Sequence, residues 1–160
     1  MSGNGSLVMQ ASAVAIAGRA LLIEGPPGSG KSSLALALID RGAGLIGDDA
    51  VTLTAAANGQ LIASPPPNIT GLLEVRGVGL ARLPMAEPTP VALILTIGGA
   101  PGERLPDALP QRVIAGVNVP ALAFEPGTIA PAVRAEWALT MHGLVFEPAS
   151  LCNASQPNTP

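Results

Sequence analysis

Cysteine is almost missing from this chain. Cys152 stands alone, which excludes an internal disulfide and a cysteine-built zinc centre and suits the cytoplasm. Aromatic residues are nearly as scarce: Phe124, Phe146 and Trp137, with no tyrosine. The core therefore has to be aliphatic, and no stacking platform for single-stranded nucleic acid is available. Charged residues make up only 12%, with a net charge of −3 and an isoelectric point near 5.0, so no basic field attracts nucleic acid or anionic lipid. No uninterrupted apolar run reaches the roughly 18 residues of a membrane span. The apolar opening SLVMQASAVAIAG is broken by Gln10 and Ser12 and lacks a basic leader, so it reads as strand rather than signal peptide. The last shortage is the most pointed. Lys31 is the only lysine; every other basic position among the 8 lysines and arginines is arginine.

What is present fits one α/β domain. At 160 residues and 48% hydrophobic content the chain can bury a core of its own, and its 17 prolines and 19 glycines call for short elements with frequent turns. Strands are predicted over 6–17 and 19–24, joined tightly at Ala17-Gly18. Leu34, Leu38 and Ile39 recur at helical spacing after Lys31, with Gly42 as a stop. GLIGDDAVTLTAA reads as strand, acidic turn, strand, and Asn58-Gly59 as a hairpin turn, followed by the rigid loop PPPN. PVALILTIG is a buried strand, RVIAGVNVPALAFEP one or two strands, and APAVRAEWALTMHGL a late helix ending near Gly143. The expected architecture is a single strand-rich domain over 1–146 with two principal helices, and a polar, flexible tail over 147–160.

Gly25-Pro26-Pro27-Gly28-Ser29-Gly30-Lys31-Ser32 fits the phosphate-loop pattern G-x-x-x-x-G-K-[ST] at every position, between a strand and a helix. Glycines let the backbone curl so that several N–H groups face one anion. The helix that follows turns its positive end to the same place. Lys31 can reach the β- and γ-phosphates, and the Ser32 hydroxyl can ligate Mg²⁺. A planar, forked guanidinium suits this compact loop poorly, which explains the lone lysine. The pattern points to a nucleoside triphosphate without naming a reaction.

Two more features need an explanation. Asp48-Asp49 end the next apolar segment, one helix and one strand after the loop; they form either an ordinary Asp-rich turn or the acid a phosphate site needs. In LLEVRGVGLARLP, Glu74 and Arg76 alternate with Leu73 and Val75, and Gly77 and Gly79 allow close backbone approach. That block reads either as an exposed charge pair on an edge strand or as part of a site.

These blocks together resemble the catalytic domain of the HPr kinase/phosphorylase family, bacterial enzymes that phosphorylate a serine of the phosphocarrier protein HPr. GPPGSGKSSLALALIDRG, LIGDD and LLEVRGVGL match in order and spacing, and ERLP is a weaker fourth match. The resemblance spans roughly 7–140 and looks like the short alphaproteobacterial form, which consists of the C-terminal catalytic domain. It implies a phosphate-loop fold related to phosphoenolpyruvate carboxykinase, ATP held by Gly25 to Ser32, and Mg²⁺ held by Ser32 and Glu74. It further implies a base at Asp48 or Asp49, a catalytic arginine at Arg104, HPr as partner, and a homo-oligomer, hexameric in the family. The sequence departs from the family at three places. Gln10 stands where the family has a catalytic histidine and cannot titrate near neutral pH. The element tied to dephosphorylation reads Pro126-Gly127-Thr128-Ile129, without its arginine, and Ser33 replaces an acidic residue. Kinase chemistry with phosphorylase activity reduced or lost is the expectation; an ATP-binding regulatory module without turnover is the alternative. His142, in the late helix, reads as a solvated or capping residue.

Overall fold

The computed structural model describes residues 5–67 and 71–146; the expected tail over 147–160, with Cys152, lies outside the described residues. The elements in chain order are β1 (Ser6–Met9), β2 (Ser12–Ile16), β3 (Arg19–Glu24), α1 (Lys31–Asp40), β4 (Gly44–Gly47), β5 (Val51–Ala55), β6 (Leu61–Ser64), β7 (Leu72–Val75), β8 (Gly79–Arg82), β9 (Thr89–Thr96), β10 (Gln111–Ile114), β11 (Val117–Ala123) and α2 (Pro131–His142).

The predicted strand over 6–17 divides at Gln10-Ala11. β1 pairs with β5, whereas β2 pairs with β3 and β4, so one apolar segment serves two parts of the sheet. The β2–β3 turn falls at Ala17-Gly18, with φ of 52° and 82°, and the β10–β11 turn at Ala115-Gly116, with φ of 50° and 81°. Positive φ at both central positions matches the right-handed twist of the strands it joins. The β5–β6 hairpin does turn at Asn58-Gly59, but only Gly59 is left-handed (φ 88°), and the Ala56 N–H donates to the Gln60 carbonyl at 2.8 Å. The Arg76 block is a separate hairpin, β7–β8, packed through buried Leu73 onto the cluster that holds Leu34 and Leu38 of α1.

The large sheet runs β1-β5-β6-β9-β3-β2-β4, and β11 joins β9 in parallel with β10 outside it. β9 is its backbone. It pairs with β6 at Thr89 and Pro90, with β3 along Val91–Thr96, and with β11 along Ile94–Thr96. Alternation along the strands splits the core in two. Leu21, Ile23, Leu93 and Leu95 pack against both helices, while Ala20, Leu22 and Ile94 pack with Ile46, Leu53 and Leu61. β5 and β6 therefore cover the face that the helices leave. The most deeply buried large side chains are all leucine or isoleucine, as the shortage of aromatics requires, and Trp137 is 60% exposed on α2. Arg19 reaches from β3 to the carbonyl of Leu144 at 3.1 Å, so a cation sits at the negative end of α2.

Candidate functional site: the glycine loop and its two flanks

The loop between β3 and α1 is held by contacts only glycine permits. A Cβ on Gly25 would lie 2.5 Å from the Ile97 carbonyl, and one on Gly98 would lie 2.9 Å from the Pro26 ring. Gly28 and Gly30 are left-handed, with φ of 79° and 104°, which curls the backbone into α1. Pro26, Pro27 and Gly28 are exposed, while Ser29 is half-buried. The Ser29 hydroxyl oxygen is fully buried and has no hydrogen-bond partner among the described residues. The Lys31 ammonium bends back onto the Gly25 and Pro26 carbonyls at 2.8 and 3.3 Å.

One flank of the loop is acidic. β4 pairs with β2, and β2 with β3, which brings the Asp48-Asp49 turn beside the start of α1. Asp48 Oδ1 accepts from the Ser32 hydroxyl at 2.7 Å and from the Ser12 hydroxyl at 2.9 Å. Asp49 is exposed, with a left-handed backbone (φ 68°), and takes no part in those hydrogen bonds. The residue before the pair has to be small, because a Cβ on Gly47 would sit 2.2 Å from the Ala50 carbonyl. Ser12, fully buried, is a partner that sequence reasoning did not single out; its only signal is a hydroxyl interrupting the apolar run of β2. Gln10 is exposed, and because Met9 pairs with Val51, the chain leaves β1 alongside the Asp48–Ala50 turn.

The other proposed residues are not drawn in by contacts of their own. Glu74 is exposed on β7, and neither its carboxylate nor Arg104, exposed in the loop after β9, makes an ion pair among the described residues. The Ser32 hydroxyl is paired with Asp48 rather than Glu74. His142 is the last residue of α2, half-buried and away from this flank. Behind the loop, Glu24 receives a two-pronged contact from Arg112 of β10, at 3.0 and 2.5 Å. That hydrogen bond raises the Arg112 guanidinium above its ordinary range and keeps it charged.

The second flank is apolar. Gly98 after β9, the Glu125–Gly127 turn after β11, and Pro131 of α2 face Ser29, Gly30, Ser33 and Leu34 across a cavity of about 430 Å³. Arg134 of α2 ties that turn down, donating to the carbonyls of Glu125 and Pro126 at 2.9 and 3.0 Å and lying 4.8 Å from the centre of the Phe124 ring. Sequence reasoning noticed Pro126-Gly127 but not the arginine eight residues on. An arginine on a helix carries no mark of the loop it holds.

A curled glycine loop at a helix start, a hydroxyl–carboxylate pair beside it, and a strand-rich sheet with two helices define a phosphate-loop NTPase-type α/β domain. The sequence model described as "HPr Serine kinase C-terminal domain" matches residues 5–85, and the chain belongs to that family. A solved structure of the HPr(Ser) kinase/phosphatase from Coxiella burnetii superposes with a TM-score of 0.74 at 29% identity, covering 85% of this chain and 95% of that one. HPr kinase/phosphorylase of Bordetella petrii is 49% identical over 65 residues, and that of Brevibacillus brevis 47% identical over 68. These matches take in 41% and 42% of this chain but span only about a fifth of the relatives' length, 21% and 22%.

Proposed function

We propose that this domain is an ATP-dependent kinase that phosphorylates a serine of HPr. The observation that carries the reading is the Ser32–Asp48 contact at 2.7 Å beside a complete phosphate loop. Gly25, Pro26, Pro27, Gly28, Ser29 and Gly30 cradle the phosphates with backbone N–H groups, and the unpartnered Ser29 hydroxyl can add a donor. Lys31 exchanges its loop carbonyls for phosphate oxygens. Ser32 donates its hydroxyl hydrogen bond to Asp48, which keeps its oxygen lone pairs free for a cation. This oxygen donor, an exposed Glu74 on the neighbouring hairpin and phosphate oxygens make a set suited to Mg²⁺, which binds through few protein oxygens. When bound, Mg²⁺ neutralises charge on the transferring group.

Asp48 is the base in this reading. Its Oδ1 is occupied by two hydroxyls, and Oδ2 has no hydrogen bond among the described residues. As the seryl oxygen attacks the γ-phosphorus, its proton passes to Asp48 and the bond to the β-phosphate oxygen breaks, leaving ADP and phosphoserine. Arg104 supplies charge to the transferring group, and Gln10 fills the family histidine's place as a hydrogen-bonding group. Phosphorylase activity is lost because Thr128 and Ile129 replace the polar end of the dephosphorylation element. The domain works in the cytoplasm as a homo-oligomer, hexameric by its resemblance to the family, and light scattering on the purified chain tests that.

Label transfer from γ-labelled ATP with magnesium to purified HPr, beside a Lys31→Ala control, tests the kinase. Label on an HPr serine, absent from the control, is the expected result. ATP binding without transfer would favour the regulatory module, a reading supported by the untitratable, exposed Gln10. Phosphate-dependent release of phosphate from serine-phosphorylated HPr would overturn the loss of phosphorylase activity.

A further inference from the structure

β2 reads SAVAI, and its buried positions are apolar except the first. An alanine at position 12 would continue the run, since a buried hydroxyl is tolerated only where it has a partner. Ser12 is 0% exposed, and its partner is the Asp48 carboxylate. One residue in the register of β2 against β4 makes them meet. The two strands pair Ala15 with Gly44 and Val14 with Leu45, but the next pair is Ala13 with Gly47. Ile46 is the extra residue of a β-bulge. Had the first register continued, Asp48 would fall opposite Ala11, which belongs to the cluster on the face that β5 and β6 cover. Residues opposite one another share a face of the sheet. The bulge puts Asp48 opposite Ser12 instead. Ser12 stands across from Ile23 of β3, whose side chain faces the helices, so the carboxylate is turned toward Ser32 at the start of α1.

The two donors to Asp48 Oδ1 are of unequal standing. Ser32 lies in the first turn of α1 beside Lys31, whose hold on the Gly25 and Pro26 carbonyls has to be given up to phosphate. Ser12 lies in a strand paired on both sides, with β3 and with β4. It is the fixed member of the pair. We infer that Ser12 is a positioning residue for the base: it ties Oδ1 of Asp48 to the sheet, so that Oδ2 keeps its aim at the acceptor hydroxyl while the loop takes up nucleotide. This role rests on the reading of Asp48 as the base of a kinase. Being fully buried, Ser12 touches neither nucleotide nor acceptor. Its loss should therefore appear in turnover and not in binding.

Steady-state transfer from Mg-ATP to HPr, with kcat and KM separated, tests this on the parent chain, Ser12→Ala, Ser12→Thr, Asp48→Asn and the double variant Ser12→Ala/Asp48→Asn, each checked for folding by far-UV circular dichroism. Ser12→Ala should lower kcat by about tenfold or more, with the KM for ATP within about twofold of the parent. Ser12→Thr keeps the hydroxyl and should recover kcat to within about threefold. In the Asp48→Asn background, Ser12→Ala should change kcat by less than about twofold, because a hydroxyl that acts only through the base has nothing left to aim. If threonine is too large for the buried site to fold, the cycle with Asp48→Asn decides alone. A merely structural hydroxyl gives another pattern: a lower urea midpoint with the kcat of the folded protein unchanged. That pattern, an equal loss in both backgrounds, or a folded Ser12→Thr as slow as Ser12→Ala would overturn the positioning role and leave the kinase reading intact. No transfer by the parent, or no loss in Asp48→Asn, would refute the base reading and this role with it.

Discussion

Lys31 spans its own loop, with its ammonium 2.8 Å from the Gly25 carbonyl six residues back and 3.3 Å from that of Pro26. A point charge on a flexible stem can make that bend and release it; a guanidinium, planar and needing room for its fork, cannot do so in the same space. Lys31→Arg should accordingly lose ATP affinity by about tenfold or more despite keeping the charge, as titration calorimetry would show. The acidic pair makes a sharper distinction. Asp48→Asn should cut phosphoryl transfer by about 100-fold with ATP affinity nearly unchanged, whereas Asp49→Asn should cost much less. Equal losses from the two would contradict the base assignment. The pair itself was legible as a candidate from its spacing to the loop, but the choice within it was not. That Asp48 rather than Asp49 meets Ser32 depends on how β4 turns into β5, with Asp49 left-handed and Gly47 crowded against Ala50. Ser12 was illegible for a related reason: its partner Asp48 is 36 residues away, and only the fold brings the two together. Arg134 was illegible although the turn that it holds is close in sequence, because nothing marks which of its neighbours a helix arginine turns to.

At the scale of elements, local signals did well where one segment had one job. α1 is an instructive case, because LALALI alternates as a strand would, and the glycine loop before it decides for helix. The segment over 6–17 resisted reading, because nothing local says that its first half pairs with β5 and its second with β3. The Ala-Gly turns carry a cost that substitution can remove. Ala17 is exposed, with φ 52°, a region that alanine adopts unwillingly and asparagine tolerates. Ala17→Asn should stabilise the fold by about 0.5–1 kcal/mol, seen as a higher urea midpoint at unchanged slope. A lower midpoint would mean the alanine methyl has a packing role that its exposure hides.

For the molecule as a whole, the aliphatic core sets what can be observed. The one tryptophan, Trp137, is 60% exposed and lies outside both core clusters. Its fluorescence should be readily quenched by acrylamide in the native state and should shift little on unfolding, while far-UV circular dichroism follows the transition fully. A large fluorescence shift coincident with the dichroism change would show that Trp137 is covered in solution, as assembly through α2 would cause. That the core is leucine and isoleucine was readable from composition. The two-sided arrangement was not, since it arises from β5 and β6 covering one face of a sheet whose other face carries the helices.

The position of β9 has a consequence for how the protein is made. The phosphate-loop motif is complete once Ser32 has been synthesised, and its acid once Asp48 has followed. Yet β3, from which the loop springs, is flanked in the sheet by a strand that begins only at Thr89, and the Gly25 and Pro26 backbone rests on Ile97 and Gly98. A nascent chain on the ribosome thus carries the whole signature well before it has the partner that shapes it. On the proposed function, nucleotide capture has to wait until β9 has left the exit tunnel, and the slow pairing of distant strands sets when the loop first takes its shape.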